Sequence, residues 1–122
     1  MIKFLLVFLG GGAGSLLRYG LALWLGPVQG RFPWATLAAN ALACFILGWV
    51  GALALQYRLS EEQRLLLATG LCGGFSTFST FTAESWRLYE QGNLAFLLLN
   101  VFMNLAVCML CLLLGTKMPN LL

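Results

Sequence analysis

Apolar residues fall into four long stretches separated by short polar breaks. The first runs from about Ile2 to Leu25 and the second from about Trp34 to Tyr57. The third runs from about Glu61 to Leu88 and the fourth from about Leu94 to Thr116. A helix needs about 20 apolar residues to cross a bilayer, so each stretch predicts a span. Gly26-Pro27 and Arg31-Phe32-Pro33 mark the first connection. In the second connection, Ser60 is followed three residues later by Gln63, which predicts a capping box and a helix starting near Glu61. The third connection covers Glu90 to Asn93, and Lys117 to Leu122 forms a short tail. The expected fold is an all-α membrane protein, residues 1–122 forming a single four-helix transmembrane domain with both termini on one side. Met1-Ile2-Lys3-Phe4 resembles the start of a secretion leader, but the apolar run continues past Gly14. The reading is therefore a first membrane helix.

The third stretch breaks the apolar pattern. Gly70-Leu71-Cys72-Gly73-Gly74-Phe75-Ser76-Thr77-Phe78-Ser79-Thr80-Phe81-Thr82 sets a glycine pair, five hydroxyls and three phenylalanines inside a span. Glycine is a poor helix former, so a break is expected at Gly73-Gly74. Carbonyls freed there need partners, because lipid offers none, and such breaks line cavities or ion sites. Phe75, Phe78 and Phe81 recur every three residues, near one helix face.

Other spans carry isolated polar groups. Gly10 with Gly14, and Gly11 with Ser15, have the small-residue spacing of a packing face. Arg18 follows within the same span. Two readings stay open for it: a functional charge, or snorkelling to the nearby loop. Asn40 lies in the second span, and Asn100 and Asn104 share a face of the fourth. One such amide glues helices together. Three, with the Ser/Thr ladder, point to a polar track.

Composition agrees with a membrane location. The chain has 122 residues, 61% hydrophobic and 9% charged, against about 25% charged in soluble domains. The net charge of +3 is too small and scattered to suggest nucleic acid. Lys3, Arg58, Arg64 and Lys117 lie on the terminal side, against Arg31, Arg87 and, within the first span, Arg18 on the other. That is a weak bias under the positive-inside rule, compatible with insertion both ways and with two opposed copies pairing. There is no histidine, which removes the commonest general base and metal ligand. Cys44, Cys72, Cys108 and Cys111 all lie in apolar stretches. The Cys108-x-x-Cys111 pair lacks a second pair and reads as packing.

Four motifs together carry a family resemblance. These are Gly10-Gly-Gly-Ala-Gly-Ser-Leu-Leu-Arg18-Tyr19, Thr36-Leu-Ala-Ala-Asn40, the run from Gly70 to Glu84, and Asn100-Val-Phe-Met-Asn104. In order and content they resemble the CrcB/Fluc fluoride channels across essentially the whole chain. The resemblance implies an antiparallel, dual-topology homodimer in the bacterial inner membrane. It would export cytoplasmic fluoride passively through two pores. It implies pore positions at Asn40, Phe78, Ser79, Thr80, Phe81 and Asn104, with Arg18 in the conducting region and Cys108 at the far end of the fourth-span track. It also implies a structural sodium ion at the dimer centre, held by main-chain carbonyls at Gly73 and Ser76. Thr36 and Glu84 stand as accessory positions. Two departures are noted: Ser76 where threonine is frequent, and Cys108 where serine is common, a thiol being a weaker donor.

The residues support this up to a point. Amide and hydroxyl donors can replace the hydration of a small anion. Phenyl ring edges are electropositive and offer a site without fixed charge, as conduction requires. The chemistry alone reaches a small-ion pore or transporter; fluoride comes from the resemblance. A small dual-topology multidrug or cation exporter needs an ionisable carboxylate deep in the membrane. Here Glu61, Glu62, Glu84 and Glu90 all lie at or near segment ends. A non-transporting assembly subunit would explain the glycines but not the Ser/Thr/Phe ladder. An enzyme is disfavoured, with no nucleophile beside a base.

Overall fold

The spans fold as helices in a computed structural model, which describes residues 1–28 and 30–122. Helix α1 covers Ile2–Leu25 and runs into a 3₁₀ turn at Gly26–Val28. Helix α2 covers Trp34–Leu55. The third span begins with α3 (Glu61–Arg64), widens into a π-helical segment at Leu65–Cys72, and continues as α4 (Gly73–Phe75). Helix α5 covers Phe78–Glu90, and α6 covers Leu94–Leu121. Among the described residues, four helical runs are long and apolar enough to cross a membrane: Ile2–Val28, Trp34–Leu55, Glu61–Glu90 and Leu94–Leu121.

Local chemistry explains most boundaries. The Ser60 hydroxyl accepts from the Gln63 N–H at 3.1 Å, and the Ser60 N–H donates to Gln63 Oε1 at 2.9 Å, completing the capping box that the spacing predicts. The second span ends at Leu55, short of the expected Tyr57, which turns left-handed at φ 55°. The fourth extends past Thr116 to Leu121. Pro119 sits in its last turn, where it has no N–H to give the Gly115 carbonyl the usual helical bond. A hydrogen bond from Gln56 Nε2 to Asn120 Oδ1 (3.2 Å) ties that turn to the end of α2. Lys3 Nζ meets Glu61 Oε1 at 3.0 Å, so both termini lie at the same end of the bundle.

The break expected at Gly73-Gly74 is not there. Gly73 is helical (φ −63°, ψ −37°), and the extended residues are Ser76 (ψ 153°) and Thr77 (φ −149°). Side chains that compete with the backbone account for the shift. Both the N–H and the Oγ of Ser76 donate to the Cys72 carbonyl, at 3.0 and 2.9 Å, which closes α4. Thr77 Oγ1 accepts from the Thr80 N–H at 3.1 Å and opens α5 as its N-cap.

The glycines serve close packing instead. α1 lies against the π-helical segment and α4 with backbone touching backbone. A Cβ on Gly10 would collide with the Leu66 carbonyl oxygen, one on Gly14 with that of Leu71, and one on Gly74 with that of Gly11. α2 and α6 make the other extensive contact, where Gly48 meets the Leu112 carbonyl and Gly115 meets that of Phe45. Between these pairs lies a small core of Ala39, Ala43, Cys72 and Phe75, with Leu21 and Ile46 against it. Most large apolar side chains of α1 and α6 point outward, as expected of a chain whose outer solvent is lipid.

Candidate functional site

The junction between α4 and α5 is where α2 and α6 bring their amides. Asn40 on α2 reaches the junction with both ends of its side chain. Its Oδ1 accepts from the Thr77 N–H at 2.8 Å, while its Nδ2 is 3.5 Å from the Thr77 carbonyl. Nδ2 also donates to Asn104 Oδ1 at 3.1 Å. Asn104 in turn donates to Asn100, to Oδ1 at 2.9 Å and to the carbonyl at 3.0 Å. Asn100 Nδ2 then donates to Ser85 Oγ at 3.0 Å. The result is one continuous ladder: Thr77, Asn40, Asn104, Asn100, Ser85. Asn100 is fully buried and Asn104 is 8% exposed, so every rung must be paired to offset its removal from water.

Two clefts flank this junction and share Thr77 as a wall. One, of about 390 Å³, is lined by Asn40, Asn104, Phe78, Phe81, Cys44 and Cys108 among others, with no charged side chain. The Phe78 and Phe81 rings are 5.7 Å apart and tilted by 40°. Phe78 is 80% exposed, so the cleft is open along that side. The other cleft, of about 330 Å³, is lined by Arg18, Thr36, Thr80 and Glu84 among others. There Arg18 Nε donates to the Gly74 carbonyl at 3.2 Å. Thr36 Oγ1 donates to Glu84 Oε1 at 2.7 Å. Glu84 Oε2 is buried with no hydrogen-bond partner among the described residues.

The singled-out residues therefore divide. Asn40, Asn104, Phe78, Phe81 and Cys108 share the uncharged cleft. Arg18, Thr36, Thr80 and Glu84 share the other. Ser79 is exposed, its Oγ 3.3 Å from Thr77 Oγ1, and it lines neither of the two clefts. Ser76 belongs to the uncharged cleft, and Gly73 lies on an open face where an added Cβ would meet nothing within 4 Å. Arg18 has a specific partner at the junction rather than reaching only for the loop. Glu84 is half-buried and bonded, more enclosed than a segment-end acid. Thr77, Ser85 and Cys44 were not singled out by the sequence. Thr77 carries a signal of a kind, a threonine three residues before Thr80 in the spacing of an N-cap, but within an apolar span it does not stand out.

Comparison with known proteins adds to this geometry. Residues 5–116 match the family model described as CrcB-like protein, Camphor Resistance. A Thermus thermophilus protein named fluoride-specific ion channel FluC is 44% identical over 117 residues, covering 95% of this chain and 92% of its own. A Pyrococcus furiosus protein of the same name is 44% identical over 111 residues, covering 90% and 89%. One from Chlorobium phaeobacteroides is 47% identical over 94 residues, covering 76% and 73%. Identity at that level over nearly the whole length takes in all four spans, and the chain belongs to the CrcB-like family.

Proposed function

We propose that the chain is a multi-pass plasma-membrane channel, not an enzyme, that conducts fluoride passively and selectively out of the cytoplasm. The observation that carries this reading is the uncharged cleft, where two phenyl rings and two amides converge. A dehydrated fluoride ion needs donors, and the cleft has them. One Nδ2–H of Asn40 is held by Asn104, but the other has only a long 3.5 Å contact to Thr77 and is available to an anion. The ring edges of Phe78 and Phe81 add positive electrostatic potential without a full charge. With no cation in its lining, the cleft holds an anion weakly enough to release it. Arg18, across the Thr77 wall, supplies the attraction that brings anions to the protein, with the Thr80 hydroxyl as a donor in the same cleft. Cys108 ends the track beyond Asn104.

The reading includes an antiparallel homodimer. The pore face is incomplete in one chain, since Phe78 is largely exposed and Gly73 faces open space. A second copy inserted the other way up would supply the missing wall.

A structural sodium ion at the dimer centre fits the residues present. The Thr77 N–H, which in a continuous helix would close on Gly73, donates instead to Asn40. The Thr80 N–H, which would close on Ser76, donates to Thr77 Oγ1. The carbonyls of Gly73 and Ser76 are thereby released from the helical pattern. Neutral, hard oxygen ligands of this kind suit a monovalent cation. When bound, the ion would lend positive charge near the anion path and join the two copies.

The test is efflux from liposomes loaded with fluoride, read with a fluoride electrode, beside matched chloride vesicles. Fast fluoride release with little chloride release is expected. Asn40→Asp replaces a donor with a carboxylate, and Phe78→Ile removes the ring edge. Each is expected to slow fluoride release at least about tenfold. Intact protein that released neither ion would overturn the channel, and equal release of both would remove fluoride as its specific ion.

A further inference from the structure

Cys44 and Cys108 face each other across the α2–α6 contact, and the mechanism above uses neither thiol for chemistry. Their register is fixed from both sides. One turn before them, Asn40 and Asn104 are hydrogen-bonded at 3.1 Å. One turn after Cys44, Gly48 meets the carbonyl of Leu112, one turn after Cys108. Positions 44 and 108 are therefore held opposite each other between a polar clamp and a backbone contact. Both thiols are free, and both line the uncharged cleft beside Phe78 and Phe81. Among the described residues no group of three or more His, Cys, Asp or Glu side chains is placed to hold a metal, so a metal here has at most two ligands of these kinds.

We infer that Cys44 and Cys108 form a two-sulfur site for a soft divalent metal ion that prefers linear coordination, with mercuric ion as the representative. Thiolate sulfur selects soft metals, and only the deprotonated thiol binds. With mercuric chloride the step is an exchange in which two S–H bonds and two Hg–Cl bonds break and two Hg–S bonds form. Two protons and two chloride ions leave to water, and no electrons are transferred. The product, an S–Hg–S unit, carries no net charge. That matters in a cleft without counter-ions, where a buried charge is costly. A monovalent soft ion on two thiolates would leave one negative charge there, and a tetrahedral ion such as zinc would lack two of its usual ligands. The bridge would lie in the cleft one turn below the Asn40–Asn104 pair and close it. Blockade of transport rests on the channel reading; the metal site itself does not.

The experiment has two arms. In the first, purified protein takes one equivalent of mercuric chloride per chain, and X-ray absorption at the mercury edge counts its ligands. Two sulfurs in wild type are expected. Cys44→Ser and Cys108→Ser should each weaken binding about 100-fold or more, because a rigid pair of ligands acts as a chelate. Two-sulfur coordination that persists undiminished in either variant would mean that another cysteine pair holds the metal and would overturn the inference, as would one-sulfur coordination in wild type. The second arm repeats fluoride efflux with mercuric chloride. Block in wild type, reversed by excess dithiothreitol and absent in both variants when each is compared with its own mercury-free rate, supports closure of the cleft. Block that survives in both variants overturns it. If untreated protein releases no fluoride, the channel reading fails while the first arm still decides the metal site.

Discussion

At the residue scale, Thr77 does more than its place in a hydroxyl-rich run suggests. Its N–H serves Asn40, its Oγ1 caps α5, and its side chain divides the two clefts. Thr77→Val keeps the shape and the extended backbone but loses the cap. It should cost about 1 kcal/mol, read as a shift of the midpoint in SDS titration from micelles. Thr77→Ser keeps the oxygen and should stay within about 0.5 kcal/mol. The two variants separate the hydroxyl from the methyl. Equal losses in both would mean that packing, and not the cap, holds the junction.

At the element scale, the contact between α1 and the third span tolerates no side chain at chosen positions and any side chain at others. Gly14→Val would drive its Cβ into the Leu71 carbonyl and should cost about 3 kcal/mol or more. At Gly12, inside α1, an added Cβ meets nothing within 4 Å, so Gly12→Ala should stabilise by up to about 1 kcal/mol, alanine being the better helix former. Thermal denaturation in detergent, followed by loss of soluble protein, would compare them. This contact was legible in the sequence, because small residues four apart on a span have few other uses. The four spans and the Ser60–Gln63 box were legible for the same reason, each being a short-range pattern. The position of the interruption was not. Glycine propensity pointed to residues 73 and 74, but the helical bonding is broken by the Ser76 and Thr77 hydroxyls together with an amide that arrives from another helix. Asn40 lies 37 residues from Thr77, and no local pattern records that meeting. Cys44 stayed hidden likewise: it looks like any apolar residue until α6 is placed beside it.

At the scale of the whole molecule, the proposed sodium ion makes assembly a readout of its own. Replacing sodium with N-methylglucamine should shift the light-scattering mass in dilute detergent from two chains toward one, while Ser76→Thr, which keeps the carbonyl, should behave as wild type. A mass indifferent to the cation would count against the ion at the dimer centre. The amide ladder has a consequence of another kind. The Thr77 N–H belongs to the backbone and can only donate, so Asn40 must turn its oxygen there and its nitrogen to Asn104, and each later rung follows in the same sense. The wiring has one polarity, dictated by a group that cannot rotate. Side-chain amides also do not readily give up or take on protons near neutral pH. A file of hydroxyls and waters in the same place would pass protons hand to hand; these three asparagines form an insulator, polar from end to end yet closed to proton current.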